Sequence, residues 1–346
     1  MQQGCGDRDG CVSFDDFCVY LKRISYVSIK TVMLSFGLAM VAAVGLSACN
    51  KPAEQTAAAD AAAPATAGST QGTLDKIKQS GTIVLGHRDS SIPFSYIADN
   101  PNQPVGYAHD LQLKVVEAVK QKLQMPDLKV RYNLVTSQTR IPLVQNGTVD
   151  LECGSTTNNE ERAQQVDFSV GYFEIGTRLL TATDSGINGF DDLAGKTLVT
   201  TAGTTSERYI RQFNDDNKLN INIISAKDHG ESFLMLENGR AQVFMMDDVL
   251  LAGEKAKAKD PAKWHIVGEP RSFEIYGCMM RNGDAEFKAV VDDALKAVFA
   301  SGEIHSIYDK WFTQPIPPKN VNMQFPMSDS LKALFANPTD QPTQAK

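Results

Sequence analysis

The chain has 346 residues, 42% hydrophobic and 22% charged, with a formal charge of -7. That is enough apolar content for one large or two medium cores. Four basic and four acidic residues precede Cys49, so the acidic balance belongs to the rest of the chain and argues against nucleic acid as a partner.

Residues 1–26 carry Cys5, Cys11, Cys18 and four Asp, which a signal peptide does not place ahead of its apolar core. A start assigned too early is expected there, with Val27 as the true one. The apolar run "VMLSFGLAMVAAVGLSAC", residues 32–49, follows Lys30 and resembles a bacterial lipoprotein signal. On that resemblance Cys49 becomes the lipidated first residue, and Asn50 behind it is not the Asp that would imply inner-membrane retention. The alternative is a transmembrane anchor, for which the run is short and breaks at once into polar sequence.

Residues 1–48 are thus expected as a signal region and 49–71, Ala-rich with Pro, Thr and Gly, as a flexible tether. The body then alternates strand and helix patterns: "TIVLG", "AHDLQLKVVEAVKQKL", "LKVRYNLV", "RIPLVQNG", "VDLEC". A second series runs from "KTLVTT" through "TSERYIRQFNDD", "INIISA", "HGESFLMLENG" and "AQVFMM" to "DDVLLAGEKAKA". Alternation of this kind implies two α/β lobes, each a mainly parallel sheet with covering helices. The expected boundaries are 72–180 with 273–336 for the first lobe, 181–272 for the second, and 337–346 for a polar tail. Two hinge crossings follow, near "GTRLLTAT" and "SFEIYGCMM". In both lobes an Asn-Gly pair ends a helix and a polar residue, Ser155 or Asp247, stands eight positions after the Gly.

Polar residues collect where the strands end. His87 to Ser91 follow "TIVLG"; Thr136 to Arg140, with Ser137, follow "YNLV". Ser155, Thr156, Thr157 and Arg162 follow "VDLEC"; Thr204, Thr205 and Ser206 follow "TLVTTAG"; His229 follows "IISAKD". In open parallel sheets ligands bind at these carboxyl ends, where helix N-termini attract anions. Capping explains the hydroxyls of Ser206 and Thr73 well enough, but it does not explain Arg88, Arg140 and Arg162, because cations are disfavoured at helix starts. Three guanidiniums suit more than one carboxylate, and Asp247, ending "AQVFMM", suits an ammonium. An acidic amino acid satisfies both, and the three Arg against Asp247 leave an excess positive field matched to a net anion. The two body cysteines, Cys153 and Cys278, either pair in an oxidising compartment or stand as buried thiols. His87, His109, His229, His265 and His305 have no metal-ligand spacing, so neither metal nor cofactor is expected.

The stretches "GHRDSSIPFSY", "TSQTRIPLVQNGTVDLECGSTTNNEER", "ISAKDHGESFLMLENGRAQVFMMDD", "YGCMMR" and "DKWFTQPIPPKN" resemble the polar amino acid-binding family of bacterial ABC import systems, among them its glutamate/aspartate binders. The resemblance covers residues 72–335 and implies a two-lobed periplasmic binding protein fold of type II with two hinge crossings. It implies a monomeric, periplasmic lipoprotein that is no enzyme, closes on L-glutamate or L-aspartate and docks on ABC permease subunits, with the lipid on Cys49 holding it to the membrane. By the same resemblance Arg162 with Thr157 and Thr205 holds the α-carboxylate, and Asp247 with Ser155 takes the α-ammonium. Arg88, Arg140, Ser137 and His229 go to the side-chain carboxylate. A lipoprotein presenting its ligand to a sensor remains open, as does a dehydratase or lyase on the same scaffold. No Gly-x-Ser-x-Gly, His-Glu-x-x-His or phosphate loop supports the enzyme reading.

Overall fold

The computed structural model describes residues 71–343, so the signal region, Cys49 and nearly all of the tether lie outside the described residues. Two α/β sheets carry the body. In the first, strand Thr82–His87 lies between two parallel neighbours, Lys129–Leu134 and Leu151–Glu152. The late strand Met279–Arg281 joins antiparallel between Leu151–Glu152 and Val166–Phe168. In the second, Thr197–Thr201 lies between parallel Asn222–Ala226 and Val243–Asp247, and Phe173–Ala182 and Trp264–Val267 complete it antiparallel. The two sheets therefore share one strand plan, which is the two-lobed α/β architecture.

The shared plan accounts for the matched Asn-Gly pairs. Gly147 and Gly239 sit at φ 75° and 70° just past the helices Arg140–Gln145 and His229–Glu237. A left-handed residue there ends a helix and turns the chain into the next strand. Helix Tyr107–Leu123 covers the first sheet with Leu111, Val115, Val116 and Val119, a helical stripe of buried apolar residues. In the second lobe the caps are Thr204 and Asp228, whose side chains accept from the backbone N–H of Glu207 and Glu231. Ser206 is therefore not a cap: it lies inside the first turn and turns its hydroxyl to Asp247. Thr73 likewise begins its helix behind Gly72.

A two-stranded antiparallel ribbon joins the lobes, residues 173–176 pairing with 273–276. The first crossing thus precedes the expected stretch 176–183, because residues 177–181 already pair with 243–247 in the second sheet. One uninterrupted strand of ten residues, Phe173–Ala182, runs from ribbon into sheet, so its apolar "RLLTA" signals a sheet interior and not a hinge. Phe173 and Tyr276 fix the ribbon to the first lobe: Phe173 stacks on Phe312 at 5.0 Å and Tyr276 meets Phe94 edge-on at 5.1 Å.

The chain end is held by hydrogen bonds. After helix Asp329–Ala336 the described residues of the expected polar tail run back along the first lobe. Gly171 N donates to Thr339 O at 2.8 Å, Asn158 Nδ2 to Asp340 O at 2.8 Å and Thr343 N to Asn158 O at 3.0 Å. Backbone groups left over at residues 158 and 171 find partners there, which a polar sequence supplies without an apolar signature.

Cys153 and Cys278 are bonded, with Cα atoms 4.3 Å apart, and tie the strand that ends before Ser155 to the return crossing. Replacing both by Ser should cost about 2–5 kcal/mol, the usual loss for a native disulfide closing a long loop. Thermal unfolding should show a clear drop in Tm, and an unchanged Tm would contradict this role.

Candidate functional site

Burying a guanidinium away from any carboxylate is costly, and three are buried here. Arg88, Arg140 and Arg162 are 1%, 1% and 7% exposed, while the arginine ion pairs among the described residues belong to Arg208, Arg211 and Arg281. Arg88 follows the strand Thr82–His87; its Nη1 donates to Ser155 Oγ at 3.2 Å and its Nη2 to Ser137 Oγ at 3.0 Å. Arg140 opens helix Arg140–Gln145 and sends Nη1 to Ser155 O at 2.7 Å and Thr156 Oγ1 at 2.6 Å. Its Nε has no partner among the described residues, so the opposite edge of the planar fork is left for an acceptor. Arg162 sits on the short helix Glu160–Ala163, whose cap Asn159 takes its backbone N–H at 3.0 Å. Its Nη1 donates to Thr157 O at 3.0 Å and its Nη2 crosses to Gly203 O of the second lobe at 3.2 Å.

Burial and the charge of one guanidinium weigh on the other two. Burial, then the charge of Arg140, pushes Arg88 down to about 10 and Arg162 to about 9. Both remain protonated at neutral pH, so the seam between the lobes is a cationic, water-poor region lined by hydroxyls.

The second lobe supplies the opposite chemistry. Asp247 ends strand Val243–Asp247; Ser206 Oγ donates to its Oδ1 at 3.3 Å and the Tyr276 hydroxyl donates to its Oδ2. Burial, then the charge of Glu274, pushes the Asp247 carboxyl up to about 7. His229 opens helix His229–Glu237 with Nε2 3.4 Å from Arg88 Nη2 and Nδ1 2.9 Å from Thr201 Oγ1. Since arginine only donates, Nε2 accepts and Nδ1 carries the proton. Burial, then Arg88, holds this ring well below the usual histidine range, so it is neutral.

Arg88, Ser137, Ser155 and His229 thus form one network spanning both lobes, and Thr157, Arg162 and Thr205 form a second around the seam. Ser155 and Asp247, both expected at the ligand ammonium, have separate partners within the protein. Ser155 Oγ accepts from Arg88 and donates to Ser91 Oγ at 3.2 Å, whereas Asp247 is held by Ser206 and Tyr276.

Sequence reasoning missed two buried carboxylates, and they offset part of the positive excess ascribed to the three arginines. Glu152 is fully buried, accepts from Thr156 Oγ1 at 2.9 Å and acts electrostatically on Arg88 and Arg140. Glu274 accepts from the hydroxyls of Thr157 and Thr205. A signal existed for Glu274: "FEIY" alternates exposed, buried, half-buried, buried, which puts the glutamate on the inward face with Tyr276.

The lobes meet closely. Gly203, at φ 78°, has Gln138 of the other lobe so near that an added Cβ would stand 2.9 Å from its backbone N. Gly230 N donates to Ser90 Oγ at 3.1 Å, and Ser90 Oγ donates to Asp228 Oδ1 at 3.2 Å. Among the described residues no group of three metal-ligating side chains stands together, and no helix is long and apolar enough to cross a membrane.

Residues 83–314 match the model of bacterial extracellular solute-binding proteins, family 3. The chain is 68% identical over 279 residues to the L-glutamate/L-aspartate-binding protein of Pseudomonas aeruginosa, covering 81% of this chain and 92% of that one. It is 57% identical over 285 residues to the glutamate/aspartate import solute-binding protein of Escherichia coli, covering 82% and 93%. Among solved structures it is similar to a cysteine-binding protein of Campylobacter jejuni, with TM-score 0.61, 28% identity and coverage of 70% and 93%.

Gly203→Ala should keep the lobes from meeting. The left-handed conformation costs an alanine about 1–2 kcal/mol, a modest loss of Tm, but the collision with Gln138 exists only when the lobes are closed. Small-angle scattering should therefore show a larger radius of gyration in the variant, and identical curves would contradict the close approach.

Proposed function

The chain belongs to family 3 of the bacterial extracellular solute-binding proteins, and on that footing we propose that it captures L-glutamate or L-aspartate between its lobes and delivers it to the membrane subunits of an ABC importer. It is a binding protein and not an enzyme, as its close relatives are. The single observation that carries the ligand assignment is the set of three buried guanidiniums without a carboxylate partner among the described residues. A ligand with two carboxylates supplies what they lack.

Arg162, Thr157 and Thr205 take the α-carboxylate, at the N-terminus of helix Thr205–Asn217 where free N–H groups and the helix dipole favour an anion. Arg88 and the free edge of Arg140, with Ser137, take the second carboxylate. His229 supports this from behind: its lone pair faces Arg88, so it orients the guanidinium and does not itself meet the anion. Asp247, with Ser155, takes the ammonium. Closure about the ribbon brings donors of both lobes onto one ligand. Outside the cytoplasm a lipid on Cys49 keeps this monomer near its permease, and Cys49→Ser should release a protein that labelled palmitate no longer marks.

Glutamine keeps the α-groups but leaves Arg88 and Arg140 desolvated and short of an anion. That should cost it roughly 2–5 kcal/mol relative to glutamate, about 30-fold to several thousandfold in affinity. Arg162→Ala should weaken every amino acid, while Arg140→Ala should hurt glutamate and aspartate more than glutamine. Calorimetric titration decides; equal loss for glutamine and glutamate in Arg140→Ala would remove this arginine from the side-chain carboxylate.

Proton linkage gives a further expectation. Asp247 is pushed up to about 7, so below that pH it binds a proton in the free protein. An ammonium ligand favours the anion, so binding expels the proton and glutamate affinity should fall as pH drops below 7, approaching about tenfold per unit. Glutarate, which has no ammonium, should not weaken in the same range. Equal pH profiles for the two ligands would separate Asp247 from the ammonium.

A further inference from the structure

We propose that the carboxylate of Glu274 is an internal stand-in for the ligand α-carboxylate, occupying its hydroxyl donors in the closed protein and leaving them when an amino acid enters. The inference rests on the assignment of Thr157 and Thr205 to that carboxylate. A threonine hydroxyl has one proton to give. Thr157 Oγ1 gives it to Glu274 Oε2, and Thr205 Oγ1 gives its own to the same oxygen at 2.9 Å. Ser272 Oγ donates to Glu274 Oε1 at 3.0 Å. The two threonines belong to opposite lobes and Glu274 to the ribbon between them, so one carboxylate draws on all three parts of the hinge.

The placement is that of a ligand group. Glu274 is 8% exposed, and its carboxylate forms no ion pair among the described residues; hydroxyls alone hold it. An amino acid cannot have the protons of Thr157 and Thr205 while Glu274 keeps them. The displaced side chain has somewhere to go, because a cavity of about 230 Å³ adjoins it, lined by Thr157, Thr205 and Glu274 itself and by the cations Arg208 and Arg271. Glu274 thereby lowers the apparent affinity by the fraction of time it holds the site. It also lets the lobes meet without collapsing the donors onto one another.

The test uses protein refolded free of amino acids and titrated with glutamate and glutarate. Glu274→Gln, close in shape, and Glu274→Ala should both bind the two ligands more tightly, by about tenfold, the scale of hydrogen bonds to a charged group. If Glu274 instead holds the ammonium, the variants lose glutamate affinity and keep that for glutarate, which overturns the proposal. Equal weakening of both ligands, or no change, also overturns it. Thr205→Val separates the two levels of the account. It should cost more affinity in the Glu274→Ala background than in the wild type, where losing the hydroxyl also weakens the competitor. An equal cost in both backgrounds overturns the stand-in and leaves the α-carboxylate site standing, whereas no cost in either background sinks both.

Discussion

Three guanidiniums buried along one seam, with no carboxylate among the described residues to meet them, set the terms for everything else in this structure. Burial, then the charge of Arg140, lowers the proton affinities of Arg88 and Arg162. The fold makes the arrangement tolerable in two ways. Hydroxyls and backbone carbonyls replace water around each fork, through Ser137, Ser155, Thr156, Thr157 and Gly203. Glu152 and Glu274 supply partial compensation from a distance. The field that remains is one a dicarboxylate completes, and neutral His229 keeps Arg88 aimed without adding a fourth charge.

Why such a charge set can be assembled at all follows from dividing it between lobes. Arg88, Arg140 and Arg162 come from the first lobe, and Asp247, Thr205 and His229 from the second, so full desolvation is incurred only on closing. The ribbon of residues 173–176 and 273–276 governs that step. Its aromatic side chains pack into the first lobe, one of its strands continues unbroken into the second sheet, and the Cys153–Cys278 bond fixes the return crossing beside Ser155. Closure is thereby reduced to a motion with few degrees of freedom, and opposing donors arrive in register.

Much of this was legible in the sequence, because strand-end chemistry is local. Apolar runs ending in Arg, Ser and Thr located Arg88, Arg140, Ser155 and Thr205, and the matched Asn-Gly spacing identified Ser155 and Asp247 as equivalent strand ends. What failed to show was whatever depends on long-range pairing. The stretch "GTRLLTAT" has the composition of either a crossing or a buried strand, and only its partner 243–247 puts the crossing at its very start. The chain end reads only as a polar tail because its contacts are backbone hydrogen bonds and polar side-chain bonds to distant residues, which leave no apolar pattern. Glu274 was hidden in a hinge strand: a single glutamate among apolar residues reads as a surface position until Tyr276 shows which face is inward.

The most direct test of the central claim is a crystal structure of the protein grown with L-glutamate. The α-carboxylate should lie on Arg162 and the side-chain carboxylate on Arg88 and Arg140, with Asp247 facing the ammonium. A glutamate found with its two carboxylates exchanged between these arginines, or seated in the cavity beside Arg208 and Arg271 with the three buried guanidiniums still without an anion, would contradict it.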